Sequence, residues 1–470
     1  MQQLFEKEVY VERRHILKKA IGKGIILLTG NADSPMNYTD NYYPFRQDSS
    51  FLYYFGLDIP GLVGIIDVEK DVEAIYGKEA DLEDVIWTGP MPTLQELAAQ
   101  VGISMVSPLK EVAAFLQSAI HHKTAIHTLP FYRADNKLRV SSWLQMPIDL
   151  VERYISVPLI KAVVAQREVK QAVEIAEIDK AASISAEMHV AAMQFARPGM
   201  YEYEIAAKME YVALAAAGRL SYPTILTING QTLHNHYHGH KIQKGHMVLA
   251  DAGAENVMHY AGDLTRTFPV DTVFTASQRD VYNVVLTSFE AAVAALKPGV
   301  AFKDIHRLAC VKLLEGLKNL GIIRGDVEAA VEKSVHTLFF QCGLGHMMGL
   351  DVHDMENLGE AYVGYTDAIL QRNEFGWKSL RLGKPLSAGF VLTVEPGIYF
   401  IPQLIDSWKA QNKLGDFINY EQLENYRFSG GIRIEDNFLI TPTGARLLGQ
   451  PLAKTVQEIE EMRYAARYQA

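Results

Sequence analysis

The chain has 470 residues, 21% of them charged and 49% hydrophobic, with a formal net charge of −10 and an isoelectric point near 5.9. That balance describes a globular protein with room for about two to four domains, and its acidity argues against nucleic acid or an anionic membrane as the main partner. No run approaches the roughly 20 apolar residues that span a bilayer, the N-terminus lacks a basic-then-apolar leader, and two cysteines, Cys310 and Cys342, make no disulfide framework, so a cytoplasmic protein is expected.

Residues 1–160 alternate helical and extended patterns and read as an α/β layer domain. Residues 9–20 have helical spacing, and residues 24–30 form an apolar run between glycines, the pattern of a buried strand. Further strands are expected over 51–55, 61–68 and 72–76, and helices over 93–101 and 109–120, with His121 and His122 at a solvated helix end. There is no phosphate loop or dinucleotide fingerprint. Pro44-Phe-Arg-Gln-Asp48 and Trp87-Thr-Gly89 read as loops.

A long helical signal over 170–196 carries Val173, Ile178, Ile184, Met188 and Met193 near helical spacing and ends at Arg197-Pro-Gly199. A second helix, over 203–217, stops at Gly218. The start of this block sets the expected boundary: an accessory domain over 1–160 and a second domain over 161–470.

The second block repeats itself. Arg197-Pro-Gly199 followed by Ile205 recurs as Lys297-Pro-Gly299 followed by Ile305. Val248-Leu-Ala-Asp251-Ala-Gly253 is echoed by Val391-Leu-Thr-Val-Glu395-Pro-Gly397, and Gly262-Asp263 more loosely by Ile434-Glu435. The separation grows from 100 residues (199 to 299) to 144 (251 to 395) and 172 (263 to 435), which places insertions over 356–386 and 401–429, both expected to be loop-like. Two related halves, each giving two carboxylates from strands, imply a site at a pseudo-twofold junction.

Residues 247–270 read as a β-hairpin with Asp251 and Asp263 on opposite arms. A carboxylate buried in a strand costs several kcal/mol unless it is compensated, and the one nearby cation in sequence, Arg266, cannot serve both. On these two residues alone, an Asp–Arg pair under a loop and a metal site are equally open. The echo adds Glu395 and Glu435, and four like charges at close range call for cations. Two divalent ions nearly neutralise them. His346, in the glycine-rich run from Cys342 to His353, offers a nitrogen ligand. A carboxylate-rich set with one imidazole favours Mn2+, with Co2+, Fe2+ or Zn2+ also accommodated. His234, His236, His238 and His240 alternate, so any strand there shows all four on one face. A polar hairpin face with one working histidine is favoured over a separate zinc tract.

With these motifs in hand, the chain resembles the aminopeptidase P and prolidase family of proline-directed metallopeptidases. The resemblance rests on Asp251 with Asp263-Leu-Thr-Arg-Thr, Gly345-His346 with Asp351-Val-His353, Thr393-Val-Glu395-Pro-Gly397 and Gly431-Ile-Arg-Ile-Glu435-Asp. It implies an α/β (α+β) protein whose C-terminal catalytic domain has the pita-bread fold with its internal pseudo-twofold repeat. Phe45-Arg-Gln-Asp-Ser-Ser-Phe-Leu-Tyr-Tyr-Phe-Gly56 looks like part of the family's smaller accessory domain and brings the pattern closest to aminopeptidase P.

Carried over by position, the resemblance gives Asp251 to a first metal, Asp263 and Glu435 to both, and His346 and Glu395 to the second. The activity implied is hydrolysis of the Xaa–Pro bond at peptide N-termini by a hydroxide between the ions. Glu395 would shuttle the proton, and His353 and His234 would hydrogen-bond the oxyanion and substrate carbonyl. Arg433 looks like a partner of the carboxylates, and Trp87 resembles an aromatic lent by a neighbouring subunit of a homodimer or homotetramer. The alternatives are an Xaa-Pro dipeptidase, a metal-free relative such as a creatine hydrolase, and an inactive peptide-binding pseudoenzyme. The last two are disfavoured by the retention of all five ligands. Two departures stand out: Cys342 replaces the family's usual histidine, and the Asp251–Asp263 span is one residue longer than usual.

Overall fold

The apolar runs of the N-terminal third assemble a five-stranded mixed sheet. Its strands are Ile25–Thr29, Val63–Asp67, Val72–Gly77, Met105–Pro108 and Ile126–His127, in the spatial order fourth, third, second, first, fifth. The first three pair antiparallel in sequence, and the two outer strands add in parallel. Alternate residues Ile25 and Leu27, Val63 and Ile65, and Ala74 and Tyr76 share one face. That face packs on Val112 and Leu116 of the Val112–His121 helix and on Val140 and Leu144 of the Ala134–Leu144 helix.

Residues 3–466 are described in this computed structural model. The chain divides into two units, Met1–Arg167 with Asn357–Tyr362, and Glu168–Glu356 with Val363–Ala470. Among the described residues no helix is long and apolar enough to cross a membrane.

Two expectations fail in the first unit. Residues 51–55 are not a strand but most of the Ser49–Phe55 helix, all seven residues of which are buried. Asp48 caps it by accepting from the Phe51 amide at 2.8 Å, and Gly56 ends it in the left-handed conformation. Trp87 and Thr88 are not loop residues either. They close the Leu82–Thr88 helix, which Asp81 and Asp84 start with a reciprocal capping box.

In the second unit the repeat is written in hydrogen bonds. Gly199 N donates to Ile242 O, and Gly299 N to Leu386 O, both at 2.8 Å. Ile242 N returns to Met200 O, and Leu386 N to Val300 O. These crossings lead into the Glu202–Ala215 and Phe302–Asn319 helices. Each half also contributes a three-stranded sheet. Leu264–Pro269, Met247–Ala252 and Ile225–Thr227 form the first, and Val391–Val394, Asp436–Ile440 and Ala445–Leu447 the second. Of the two insertions, 356–386 is largely irregular, but 401–429 contains the Pro402–Ala410 and Tyr420–Glu424 helices rather than being all loop. Pro402 occupies the first helical turn, and the Asn419 side chain caps the second helix.

Candidate metal centre

The hairpin forms as an antiparallel pair, with Asp251 opposite Thr265 and Asp263 one residue ahead of the returning strand. Glu435 lies between the Gly431–Arg433 and Asp436–Ile440 strands, where its amide donates to Thr265 O at 3.1 Å. The two halves of the repeat are thus stitched together at the carboxylates. Glu395 follows the Val391–Val394 strand, and its amide donates to Leu344 O at 2.8 Å. His346 is held alongside: Thr393 N donates to His346 O at 3.0 Å, and His346 N donates to Thr393 Oγ1 at 3.1 Å. The neighbouring Gly345 permits that approach, because a Cβ there would lie 2.1 Å from Thr393 O.

The side chains converge. Donor atoms of Asp263, His346 and Glu435 all lie within 4.8 Å of one another. His346 Nε2 is 3.2 Å from Asp263 Oδ2 and 3.5 Å from Glu395 Oε1. The other ring nitrogen, Nδ1, is 3.0 Å from Met347 O, an arrangement that holds Nδ1 to the backbone and turns Nε2 towards the carboxylates. Tyr222 links Asp251 and Asp263: its hydroxyl is 2.6 Å from Asp251 Oδ1 and also contacts Asp263 Oδ1.

Burial and mutual repulsion set the charge. Burial, reinforced by Asp263 and Asp251, pushes the Glu395 carboxyl up to about 7 against the pull of His346. Burial, then Asp263, Glu395 and Asp251, raises Glu435 well above the ordinary carboxylate range. Asp263 is held low in spite of burial, by His346 and the Tyr222 hydroxyl. His346 is correspondingly raised, with burial opposed by Asp263 and Glu395. Glu435 Oε2 accepts from Thr265 Oγ1 at 2.7 Å, but Oε1 is buried with no partner. An orphaned carboxylate oxygen beside three other carboxyls and an aimed imidazole fits divalent cations. Asp263, His346 and Glu435 are close enough together to hold one, with Glu395 and Asp251 beside them.

The cation expected to matter, Arg266, serves neither aspartate. It is buried against Asp436 at 2.7 Å and against the Glu435 carbonyl. Arg433 takes the place instead, contacting Asp251 Oδ2 while donating to Tyr399 Oη at 2.7 Å and Thr265 Oγ1 at 3.1 Å. Asp251, Asp263, His346, Glu395, Glu435, Arg433, Cys342, His353 and His234 all line one cavity of about 220 Å³. His353 sits with its ring 4.2 Å from that of His346, and its Nδ1 is 2.5 Å from Glu356 Oε2. That contact is the largest reason Glu356 is drawn down to about 2. Trp87 stands in the first unit, 80% exposed.

The histidine tract is corrected in form. Residues 231–240 make a turn and an irregular stretch, not a strand. His238 Nε2 meets Thr224 O at 3.1 Å and His240 Nδ1 meets Glu202 Oε2 at 2.8 Å, so two histidines are fastened to the scaffold while His234 and His236 face the cavity. Tyr222 and Tyr399 are missed by sequence reasoning. Their partners lie 29 to 57 residues away, and no local pattern marks them.

A fold of two related halves with buried carboxylates and an imidazole at their junction defines a pita-bread metallopeptidase. "Metallopeptidase family M24" matches residues 176–442, and "Aminopeptidase P, N-terminal domain" matches residues 10–127. The Xaa-Pro dipeptidase of Homo sapiens is 33% identical over 93% of this chain and 88% of its own length. The Xaa-Pro aminopeptidase of Escherichia coli is 30% identical over 98% of this chain and 99% of its own. Among solved structures, the low-pH form of Escherichia coli aminopeptidase P superposes with a TM-score of 0.82 at 29% identity, covering 99% of this chain and 100% of that one. A zinc-substituted form of that enzyme in complex with product gives 0.80 at 28% identity, with the same coverage. This chain belongs to the aminopeptidase P and prolidase family and is a metallopeptidase that uses divalent metal ions.

Proposed function

We propose that the chain is an Xaa-Pro aminopeptidase with a dinuclear centre, Mn2+ by preference and Co2+, Fe2+ or Zn2+ by substitution, held by Asp251, Asp263, His346, Glu395 and Glu435. When bound, the ions supply Lewis acidity and an acidic water at neutral pH. Glu395, at the edge of the carboxylate group and facing the cavity, is the side chain that moves a proton towards the leaving proline nitrogen. That nitrogen has no amide hydrogen before cleavage, so the pocket selects by shape. His234 at the cavity wall is a donor for the oxygen that gains charge, and His353, with Nδ1 held by Glu356, donates to it from Nε2 when the ring carries both protons. Arg433 fixes Asp251.

The observation that carries the choice of aminopeptidase is the charge of the lining. Among the described residues that line the cavity there is no lysine, and the one arginine, Arg433, is engaged by Asp251, Tyr399 and Thr265. A dipeptidase must hold the free carboxylate of an Xaa-Pro substrate; the lining guanidinium is already engaged, and the nearby Arg381 is paired with Glu356 at 3.3 Å. The human relative, at 33% identity, is what favours the dipeptidase reading. Hydrolysis of Xaa-Pro-Yaa against Xaa-Pro, each with and without Mn2+, separates the two; failure to cleave the tripeptide rules out the aminopeptidase. Glu395→Gln should retain the fold while losing at least about a hundredfold in kcat. An unchanged rate would remove Glu395 from the chemistry.

A homodimer or homotetramer in the cytoplasm belongs to the same proposal. The Leu82–Thr88 helix has no buried residue and leaves Leu82, Ile86 and Trp87 at least 71% exposed, as a surface awaiting a second copy would. Sedimentation of wild type and Trp87→Ala tests it.

A further inference from the structure

A second group of ligand-type side chains lies apart from the carboxylates. His306 and Cys310 are one turn apart on the Phe302–Asn319 helix, and His336 comes from the Val335–Leu338 turn. All three are at most 1% exposed, and one donor atom from each lies within 4.8 Å of the others. His306 Nε2 is 3.6 Å from Cys310 Sγ. Neither ring nitrogen of His336 has a hydrogen-bond partner, and His306 Nδ1 has none. Every neutral imidazole carries a donor and an acceptor, and leaving such groups unpaired in a core is destabilising. The neighbours do not satisfy them. Trp377 lies steeply inclined to both rings at 5.1 and 5.3 Å, and Phe340 lies 5.5 Å from His306.

We propose that His306, Cys310 and His336 form a second metal site, which takes one thiophilic closed-shell cation, Zn2+ or Cu+. The donor set is the one such ions prefer, imidazole and thiolate, and it differs in kind from the oxygen-rich centre. The spacing agrees: a thiolate about 2.3 Å and an imidazole about 2.0 Å from a tetrahedral zinc ion stand about 3.6 Å apart. Burial holds His306 down to about 4 and His336 down to about 3, so both present lone pairs at neutral pH. Burial raises the Cys310 thiol well above its ordinary range, so it enters as the thiol: binding would form a sulfur–metal bond as the ion displaces its proton to solvent, with no change of oxidation state. Trp377, on the far side, also walls a separate cavity of about 310 Å³ with Asp304, Arg307, Glu332 and Arg372. The ion would tie the Phe302–Asn319 helix to the turn that leads into the run from Cys342 to His346.

The test uses the full metal-stripped chain carrying Cys342→Ser, so that Cys310 is the only thiol. Co2+ is the probe for the zinc arm. The expected result is a thiolate-to-cobalt charge-transfer band that, with Co2+ in excess of the carboxylate centre's share, reaches the intensity of one thiolate per chain and disappears in Cys310→Ala or His336→Phe. In the copper arm, anaerobic Cu+ should be retained at about one equivalent against a competing chelator, and lost in the same variants. The proposal is overturned if the Cys342→Ser chain shows neither the band nor Cu+ retention, or if either signal survives Cys310→Ala. Should the variants fail to fold, X-ray absorption at the metal edge of the loaded Cys342→Ser chain decides. A sulfur neighbour at about 2.3 Å supports the site, and a shell of nitrogen and oxygen alone overturns it. Mn2+-dependent hydrolysis is read separately, so failure here leaves the reading of the carboxylate centre intact.

Discussion

Cys342 shows how surroundings decide what a side chain can do. The thiol lines the peptidase cavity 3.8 Å from the Tyr399 hydroxyl, and burial together with the nearby Glu395 pushes it up to about 12. At pH 8 only about one molecule in ten thousand then carries the thiolate, the form that reacts. Iodoacetamide at pH 8 should therefore alkylate Cys342 in the native chain about a thousandfold more slowly than a free cysteine, as read by peptide mass. Fast modification of the folded protein would contradict this environment. The sequence displays the cysteine in its motif but not the inertness, which depends on Tyr399 and Glu395 folding across from it. The same holds for Tyr222, whose hydroxyl contacts both Asp251 and Asp263.

At the scale of elements, what the sequence disclosed followed from what periodicity can distinguish. Strands such as Ile25–Thr29 and Val72–Gly77 were legible because apolar runs ended at turn-forming residues. Residues 51–55 were not, because a segment buried on every side has no polar face and its aromatic content suits a strand equally well. The deciding signals were the Asp48 cap and Gly56. Gly56 has φ +69°, its amide closes on Leu52 O at 2.9 Å, and a Cβ there would stand 2.6 Å from the Tyr10 ring. Gly56→Ala should cost about 2–3 kcal/mol, from left-handed strain and the displaced ring together. Denaturant unfolding of the variant checks it, and a loss below about 0.5 kcal/mol would mean that Tyr10 yields freely. The helices within 401–429 escaped notice for a related reason. The Pro402–Ala410 helix buries only Ile405 and Trp408, too short an apolar stripe to stand out among polar residues.

Across the whole molecule, the duplication was visible in the sequence as carboxylates falling in step, while the way their charge is managed was not. Arg266 is spent on Asp436, Arg433 reaches Asp251 alone, and Glu395 and Glu435 are left to protonation or to cations. Both glutamates are raised in the metal-free fold. They therefore contribute stability that is present at low pH and lost as pH climbs through their folded values, about 7 for Glu395. Bound divalent ions would remove that loss. Stripped of metal, the second unit should melt at a lower temperature at pH 7.5 than at pH 6, and Mn2+ should restore it in proportion to the logarithm of its concentration. Glu435→Gln carries no titrating proton at the orphaned position. Its metal-free form should melt higher than metal-free wild type at pH 7.5, with a flatter pH dependence, yet gain less from Mn2+. A higher melt without metal joined to a smaller gain from Mn2+ is what a charge seam between halves requires, since a residue needed only for packing would destabilise both forms alike. Thermal melts of both chains at the two pH values, with and without Mn2+, measure it. A Glu435→Gln chain that is weaker without metal, or that gains as much from Mn2+ as wild type, would place the cations elsewhere.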